Sequence, residues 1–271
     1  MTSSEQEPVI AVLAEQWSAI AELGDELGTG EWDLPSECPG WTVRDLVSHM
    51  IGTERSLLGE SAPPAPPTQA PHVRNPVGAS NEAWVEARRS QPGRQVLDEF
   101  RDVTGRRLEQ LRSFGPERFE RAGPSPVGEV PYREFMQVRV MDCWAHEQDM
   151  RVATGRPGHV EGAPAVIALD RMVSALPFIV GKRAGVAEGT SVRFELTAPA
   201  DRHVDVIVRE GRARAEPVGQ PDAVLVFQGD AFWRLCCGRV SGDAALDAGL
   251  VAVRGDDEMG RRVVQNMDFM I

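Results

Sequence analysis

The first half of the chain places apolar side chains about every three or four residues. This spacing recurs over residues 8–27, 42–58, 95–114 and 131–154, and a shorter helix is expected over 81–88. Such spacing puts the apolar side chains on one face of a helix. Because four amphipathic helices can bury those faces only against one another, the pattern predicts a four-helix bundle.

Several of these helices have clear end signals. Thr42 is a candidate N-cap, with Asp45 three residues later as its capping-box partner. The last helix is closed by Gly155, with Pro157 two residues beyond it. Between helices, the repeated prolines of 61–71 remove amide donors and favour extended backbone, so this segment is expected to be a surface loop.

In the second half the dominant period changes from about 3.6 to 2, the spacing of a β-strand. The expected elements are, in order, a helix over 164–181, strands over 192–197, 203–209 and 224–228, a short helix capped by Asp230, a strand over 251–255 and a closing helix over 256–266. The fold class is therefore expected to be α+β. We place the domain boundary near residue 160, giving a helical domain over 1–159 and a smaller α+β domain over 160–271.

The overall charge limits the range of partners. The chain has 271 residues with 29 Lys and Arg against 41 Asp and Glu, a formal net charge of −12. Such a surface repels phosphate backbones and anionic membranes, so neither nucleic acid nor membrane is an expected partner. No uninterrupted apolar run reaches about 18 residues, and the N-terminal sequence MTSSEQEPVI lacks a signal-peptide layout. With four cysteines and no disulfide pattern, we expect a cytoplasmic protein with reduced thiols.

A polar stripe interrupts the apolar pattern of the fourth long helix. Arg139, Asp142, His146 and Asp149 follow one another at spacings of three, four and three residues. Asp142 and His146, one turn apart, can direct an oxygen and a nitrogen to one point. His49 lies in the second helix and is a candidate third ligand. Two imidazoles and a carboxylate suit Zn²⁺ and leave a fourth coordination position open.

Other interpretations of these residues are possible from the pattern alone. A buried histidine beside a carboxylate is often a hydrogen-bonded core pair. Arg139 and Asp149 could form a helix-surface ion pair. The His146-Glu147 pair does not begin a zincin motif, because Met150 occupies the position of the second histidine.

Two stretches resemble a known family. CPGWTVRDLVSHMIGTE and, about ninety residues later, MDCWAHEQDMRVATGRPG resemble the mycothiol-dependent maleylpyruvate isomerase family of the DinB-like superfamily. The resemblance implies a DinB-like metal-binding bundle followed by a sterol-carrier-like domain. It also implies that His49, Asp142 and His146 bind a divalent metal, most simply zinc. The family pattern has Glu at the position of Asp142, so the carboxylate here is one methylene shorter.

Further side chains are weaker candidates. Arg139 and Asp149 could orient the metal ligands from behind. Trp41 and Trp144 are expected to pack near the ion, with ligand stacking as a further possibility, and Arg239 could contact an anionic substrate. Cysteines are left out of the expected site, because small buried thiols usually have packing roles; they are Cys38, Cys143, Cys236 and Cys237.

The leading functional hypothesis is a metal-dependent enzyme that uses a low-molecular-weight thiol. The resemblance implies mycothiol as the co-substrate, and the partner would be a small electrophilic molecule that undergoes isomerisation or S-transfer. A second hypothesis is hydrolysis by metal-activated water. A third is non-catalytic binding of an apolar ligand or a partner by the C-terminal domain, with the bundle as a scaffold.

Overall fold

The computed structural model describes residues 7–64, 70–198 and 200–270. The first six residues, on which part of the signal-peptide expectation rests, lie outside the described residues. So do residues 65–69 of the expected proline-rich loop.

The described chain divides into two compact units. One reaches to His159 and includes Ala163–Ala168. The other comprises Val160–Gly162 and continues from Leu169. Each unit is described separately.

The first unit is built mainly from helices. They are α1 (Pro8–Glu26), α2 (Val43–Leu57), α3 (Pro76–Glu86), α4 (Gly93–Arg112), α5 (Pro116–Glu120) and α6 (Tyr132–Thr154), with a 3₁₀ turn at Thr29–Asp33. The long helices α1, α2, α4 and α6 contact one another as a bundle. At the start of α2, Thr42 accepts from the Asp45 amide while the Asp45 carboxylate accepts from the Thr42 amide. Gly155 ends α6 in the left-handed region at φ 65°.

Fully buried apolar side chains hold this bundle together. Leu13, Ile20, Leu46, Phe100 and Val140 have no exposed surface. Burying each side chain of this size contributes about 1.5–3 kcal/mol. The packing brings α2 against α6, and the candidate ligands lie on these two helices.

Parts of the first unit differ from the sequence expectation. Helix α3 begins at Pro76, five residues before the start of the short helix expected over 81–88. It begins there because Asn75 caps it by accepting from the Gly78 amide at 2.8 Å. The short helix α5 and the hairpin of β1 (Ala122–Ser125) and β2 (Gly128–Pro131) were not expected. The hairpin strands contain Gly and Pro and have no alternating apolar pattern, so periodicity could not indicate them.

The rest of the chain combines helices with a sheet. The elements are α7 (Gly162–Ser174), α8 (Leu176–Phe178), a π-helical turn at Ile179–Arg183, β3 (Ser191–Leu196), β4 (Arg202–Arg209), β5 (Arg212–Ala215), β6 (Ala223–Phe227), α9 (Ala231–Cys236), α10 (Gly242–Asp247), β7 (Val251–Gly255) and α11 (Asp257–Val264). The strand order is β5-β4-β3-β6-β7. Strands β3 and β6 are parallel and the other neighbours are antiparallel. The α+β class is thereby confirmed, whereas β5 and α10 were not expected.

The segment Gly162–Arg183 is long and apolar enough, by length and composition, to cross a membrane. The sequence expectation counted uninterrupted apolar residues, and Asp170 and Arg171 break this run. Within the segment, 44% of the most apolar window is buried inside the protein. Because core helices of water-soluble proteins have the same composition, one such segment is weak evidence for a membrane span.

Candidate metal centre

Three side chains from two helices converge in the bundle. His49 on α2 places Nε2 3.4 Å from Asp142 Oδ2, and His146 places Nε2 3.7 Å from Asp142 Oδ1. The two imidazole ring centroids are 4.9 Å apart. One donor atom from each residue lies within 4.8 Å of the other two. The shorter Asp142 carboxylate therefore reaches both imidazoles.

The electrostatic environment favours the protonation states that bind a cation. Burial lowers the pKa of His49, against the opposing effect of the Asp142 carboxylate. Burial alone would raise the pKa of Asp142, but the Arg139 guanidinium and the two imidazoles hold it well below its ordinary value. The set thus contains a neutral imidazole and an ionised carboxylate, the forms in which these groups bind metal ions.

A second carboxylate lies beside the remote nitrogen of His146. Asp149 Oδ2 lies 3.1 Å from His146 Nδ1, and the side chain of Asp149 has no exposed surface. A proton on Nδ1, shared with Asp149, would leave the Nε2 lone pair on the side of Asp142 and free to bind a cation. A carboxylate paired with the remote nitrogen of a ligand histidine is the usual arrangement in metal sites.

Cys38 also belongs to this cluster, contrary to the sequence expectation. Its Sγ donates to Asp149 Oδ2 at 3.3 Å and lies 3.8 Å from His146 Nδ1. Cys38 is buried, as expected, and Cys38, His146 and Asp149 form a second group of close donor atoms. The hydrogen bonds among them account for this grouping, since Cys38 donates to the same carboxylate oxygen that pairs with His146.

The residues fit a divalent cation of the zinc type. Two imidazole nitrogens and a carboxylate are a donor set that Zn²⁺ accepts. Among the described residues, the buried His49 Nδ1 has no hydrogen-bond partner. A bond from Nε2 to a metal ion would fix the orientation of this imidazole, since Nδ1 makes no hydrogen bond that could fix it.

Trp41 stands beside the two histidines. Its ring centroid lies 5.2 Å from that of His49 and 6.1 Å from that of His146. The indole Nε1 donates to Glu82 Oε2 at 2.9 Å, and His72 Nε2 lies 2.9 Å from the same oxygen. Nothing in the sequence pattern indicated Glu82, because its burial on α3 follows from the packing of the helices.

Some candidate residues have other partners. Trp144 is two positions from both Asp142 and His146, so it lies on another face of α6, and its Nε1 donates to the His159 carbonyl at 2.9 Å. Arg239 belongs to the second unit and donates to the Cys237 carbonyl at 2.7 Å. The roles of Trp144 and Arg239 in ligand contact stay predictions.

The proposed surface pairing of Arg139 with Asp149 is wrong. Both residues are buried, and Arg139 instead donates to Asp142 Oδ2 at 2.6 Å and to Glu54 Oε1 at 2.9 Å. Asp149 pairs with His146, so a buried imidazole-carboxylate pair does exist beside the ligand set. The two residues thus contact different ligands.

Comparison with known proteins identifies the family. A sequence profile described as "Mycothiol maleylpyruvate isomerase N-terminal domain" matches residues 13–151, which contain all three candidate ligands and more than half of the chain. The chain belongs to this family.

Two solved structures of mycothiol-dependent maleylpyruvate isomerase resemble this chain in fold. One, a variant enzyme, has a TM-score of 0.58 and 17% identity, covering 91% of this chain and 92% of its own. The other has a TM-score of 0.55 and 18% identity, covering 86% and 89%. At this level of identity the similarity shows the fold, and it extends over both halves of the chain.

Curated relatives are found in Mycobacterium tuberculosis. An uncharacterized protein is 26% identical over 150 residues, which are 55% of this chain and 57% of that protein. A second uncharacterized protein is 24% identical over 157 residues, which are 58% of this chain and 71% of that protein. The match to the first relative thus spans little more than half of its length.

Proposed function

We propose that this protein is a metal-dependent enzyme that uses mycothiol as a nucleophilic co-substrate toward a small electrophilic molecule, acting as an isomerase or an S-transferase. The family supports mycothiol and isomerase chemistry. The observation that carries the metal-dependent part is the convergence of His49, Asp142 and His146, with Asp149 paired to the remote nitrogen of His146. We further propose zinc as the metal and the cytoplasm as the location.

The protein's own residues prepare this site for catalysis. Asp149 holds the His146 ring in one orientation, and Arg139 keeps Asp142 ionised. The Trp41 ring, fixed at its Nε1 by Glu82, forms a wall beside the two histidines. A bound divalent cation would supply the Lewis acidity that favours the ionised form of a thiol at neutral pH.

The first test measures metal content. Elemental analysis of the untagged full-length protein should give about one divalent ion per chain, as expected for a single three-ligand site. His146→Ala should lose this ion, because two remaining ligands hold it poorly. His203→Ala, at an exposed position of β4, is the matched control and should keep it. Full occupancy in His146→Ala would overturn the ligand assignment.

The second test measures dependence on thiol. Maleylpyruvate, the substrate in the name of the solved structures, is incubated with the protein with and without mycothiol, and other electrophiles follow. Turnover that requires mycothiol supports the proposal. Formation of a hydrolysis product at the same rate without thiol would instead indicate a hydrolase.

A further inference from the structure

The candidate ligand Asp142, whose side chain is 22% exposed, is the end of a row of alternating charges whose other members are buried. Arg107 on α4 donates from Nε to Glu54 Oε2 at 3.2 Å, and Arg139 donates from Nε to Glu54 Oε1 at 2.9 Å. Arg139 then donates from Nη1 to Asp142 Oδ2 at 2.6 Å. Arg107 and Glu54 have 0% and 1% of their side chains exposed, and Arg139 has 5%. The row contains two positive and two negative groups, so its net charge is zero.

Arg139 and a cation would compete for the same carboxylate. Asp142 Oδ2, which accepts the Arg139 hydrogen bond, is also the oxygen 3.4 Å from His49 Nε2. Interactions between charges are only weakly screened in a buried site. A stronger interaction between Arg139 and Asp142 therefore leaves less of the negative charge of this carboxylate to attract a cation.

Glu54 also accepts a hydrogen bond from Arg139. It is the other anionic partner of this guanidinium, and it is itself shared with Arg107. Arg107 also donates to Gln110 Oε1 at 2.6 Å and to the Tyr132 hydroxyl, so neutral groups anchor it independently of Glu54. Removing Arg107 would leave Glu54 to Arg139, whereas removing Glu54 would leave Asp142 as the carboxylate bonded to Arg139, with Cys143 Sγ as a weaker acceptor at 3.5 Å.

We propose that Glu54 is a positioning residue that raises the cation affinity of the His49, Asp142 and His146 site by holding Arg139, and that Arg107 opposes this effect. The inference rests on the proposed function, because it takes the site to bind a divalent cation. It adds two residues from outside the ligand set, and it predicts that neutralising them changes metal affinity in opposite directions. If these charges only stabilised the core, neutralising Glu54 and Arg107 would not change the metal affinity in opposite directions.

The test compares zinc dissociation constants by chelator competition in full-length protein. Glu54→Gln should weaken zinc binding by about 10–100-fold, the usual effect of losing an outer partner of a metal site. Arg107→Gln should bind zinc more tightly than the wild type. Circular dichroism and thermal unfolding check that each variant is folded.

The double variant Glu54→Gln/Arg107→Gln guards against misfolding. It removes one charge of each sign and so avoids an uncompensated buried charge. It should still bind zinc more weakly than the wild type, because Arg139 has lost its second carboxylate. Wild-type affinity in this folded double variant, or a shift of both single variants in the same direction, would overturn the inference.

The outcomes also separate this inference from the proposed function. If the wild type binds zinc and His146→Ala does not, the metal site stands whatever the Glu54 variants do. Unchanged affinity in Glu54→Gln would then refute only the role of Glu54. A wild-type protein that binds no zinc would overturn both.

Discussion

Replacing Asp149 by Asn tests whether this carboxylate orients a metal ligand. Asp149 is fully buried and receives hydrogen bonds from His146 Nδ1 at 3.1 Å and Cys38 Sγ at 3.3 Å. Asn is nearly isosteric but uncharged, and one end of its amide can only donate. The Asn oxygen can still accept from His146 Nδ1, so the ring would keep a neutral acceptor but lose the charge of the carboxylate.

The size of the effect follows from these contacts. Loss of such an outer partner typically reduces metal affinity about 10–100-fold, or about 1.4–2.8 kcal/mol. In the metal-free protein, leaving a buried donor without a full partner should lower the free energy of unfolding by about 1–3 kcal/mol. The two numbers are measured separately, by zinc competition against a chelator and by urea denaturation without metal.

A surface variant provides the control for Asp149→Asn. Asp98 on α4 is 66% exposed and its nearest charged partner, Arg101, lies 3.6 Å away. Asp98→Asn should leave both zinc affinity and stability near the wild-type values, because exposed pairs contribute little. If Asp149→Asn also bound zinc like the wild type, the orienting role of Asp149 would be refuted.

Two further predictions concern stability. The hydrogen bond to buried Glu147 raises the pKa of His159. The pair should thus stabilise the fold fully below about pH 6.5, and this stabilisation should be lost as the pH rises through the raised pKa of His159. In His159→Gln, the free energy of unfolding from urea denaturation should depend less on pH over this range. Gly52→Ala should destabilise the fold by about 1–3 kcal/mol, since its Cβ would lie 2.3 Å from Trp84 Cγ. Gly105 lies at an open helical position on α4, so Gly105→Ala should instead stabilise the fold by up to about 1 kcal/mol. An equal change in the free energy of unfolding for the two variants would contradict the packing argument.

The sequence by itself determined the long helices and most of the strands. The period of apolar residues depends only on local order along the chain, so it identified α1, α2, α4 and α6 with nearly correct ends. The same periodicity placed Asp142 and His146 one turn apart on one helix and His49 inside another, and the family resemblance supported these three residues as a ligand set. Elements without periodicity, such as α5 and the hairpin that follows it, gave no such signal.

Only the tertiary structure decided which distant residues meet at the site. Cys38 contacts Asp149 across 111 positions of sequence, and Glu54 contacts Arg107 across 53 and Arg139 across 85. Such pairs depend on which helix faces pack together and in what register, and residue spacing within one helix does not specify this. The burial of each charge follows from the same packing, which also brings Arg139 beside Asp142 and so lowers the pKa of this carboxyl.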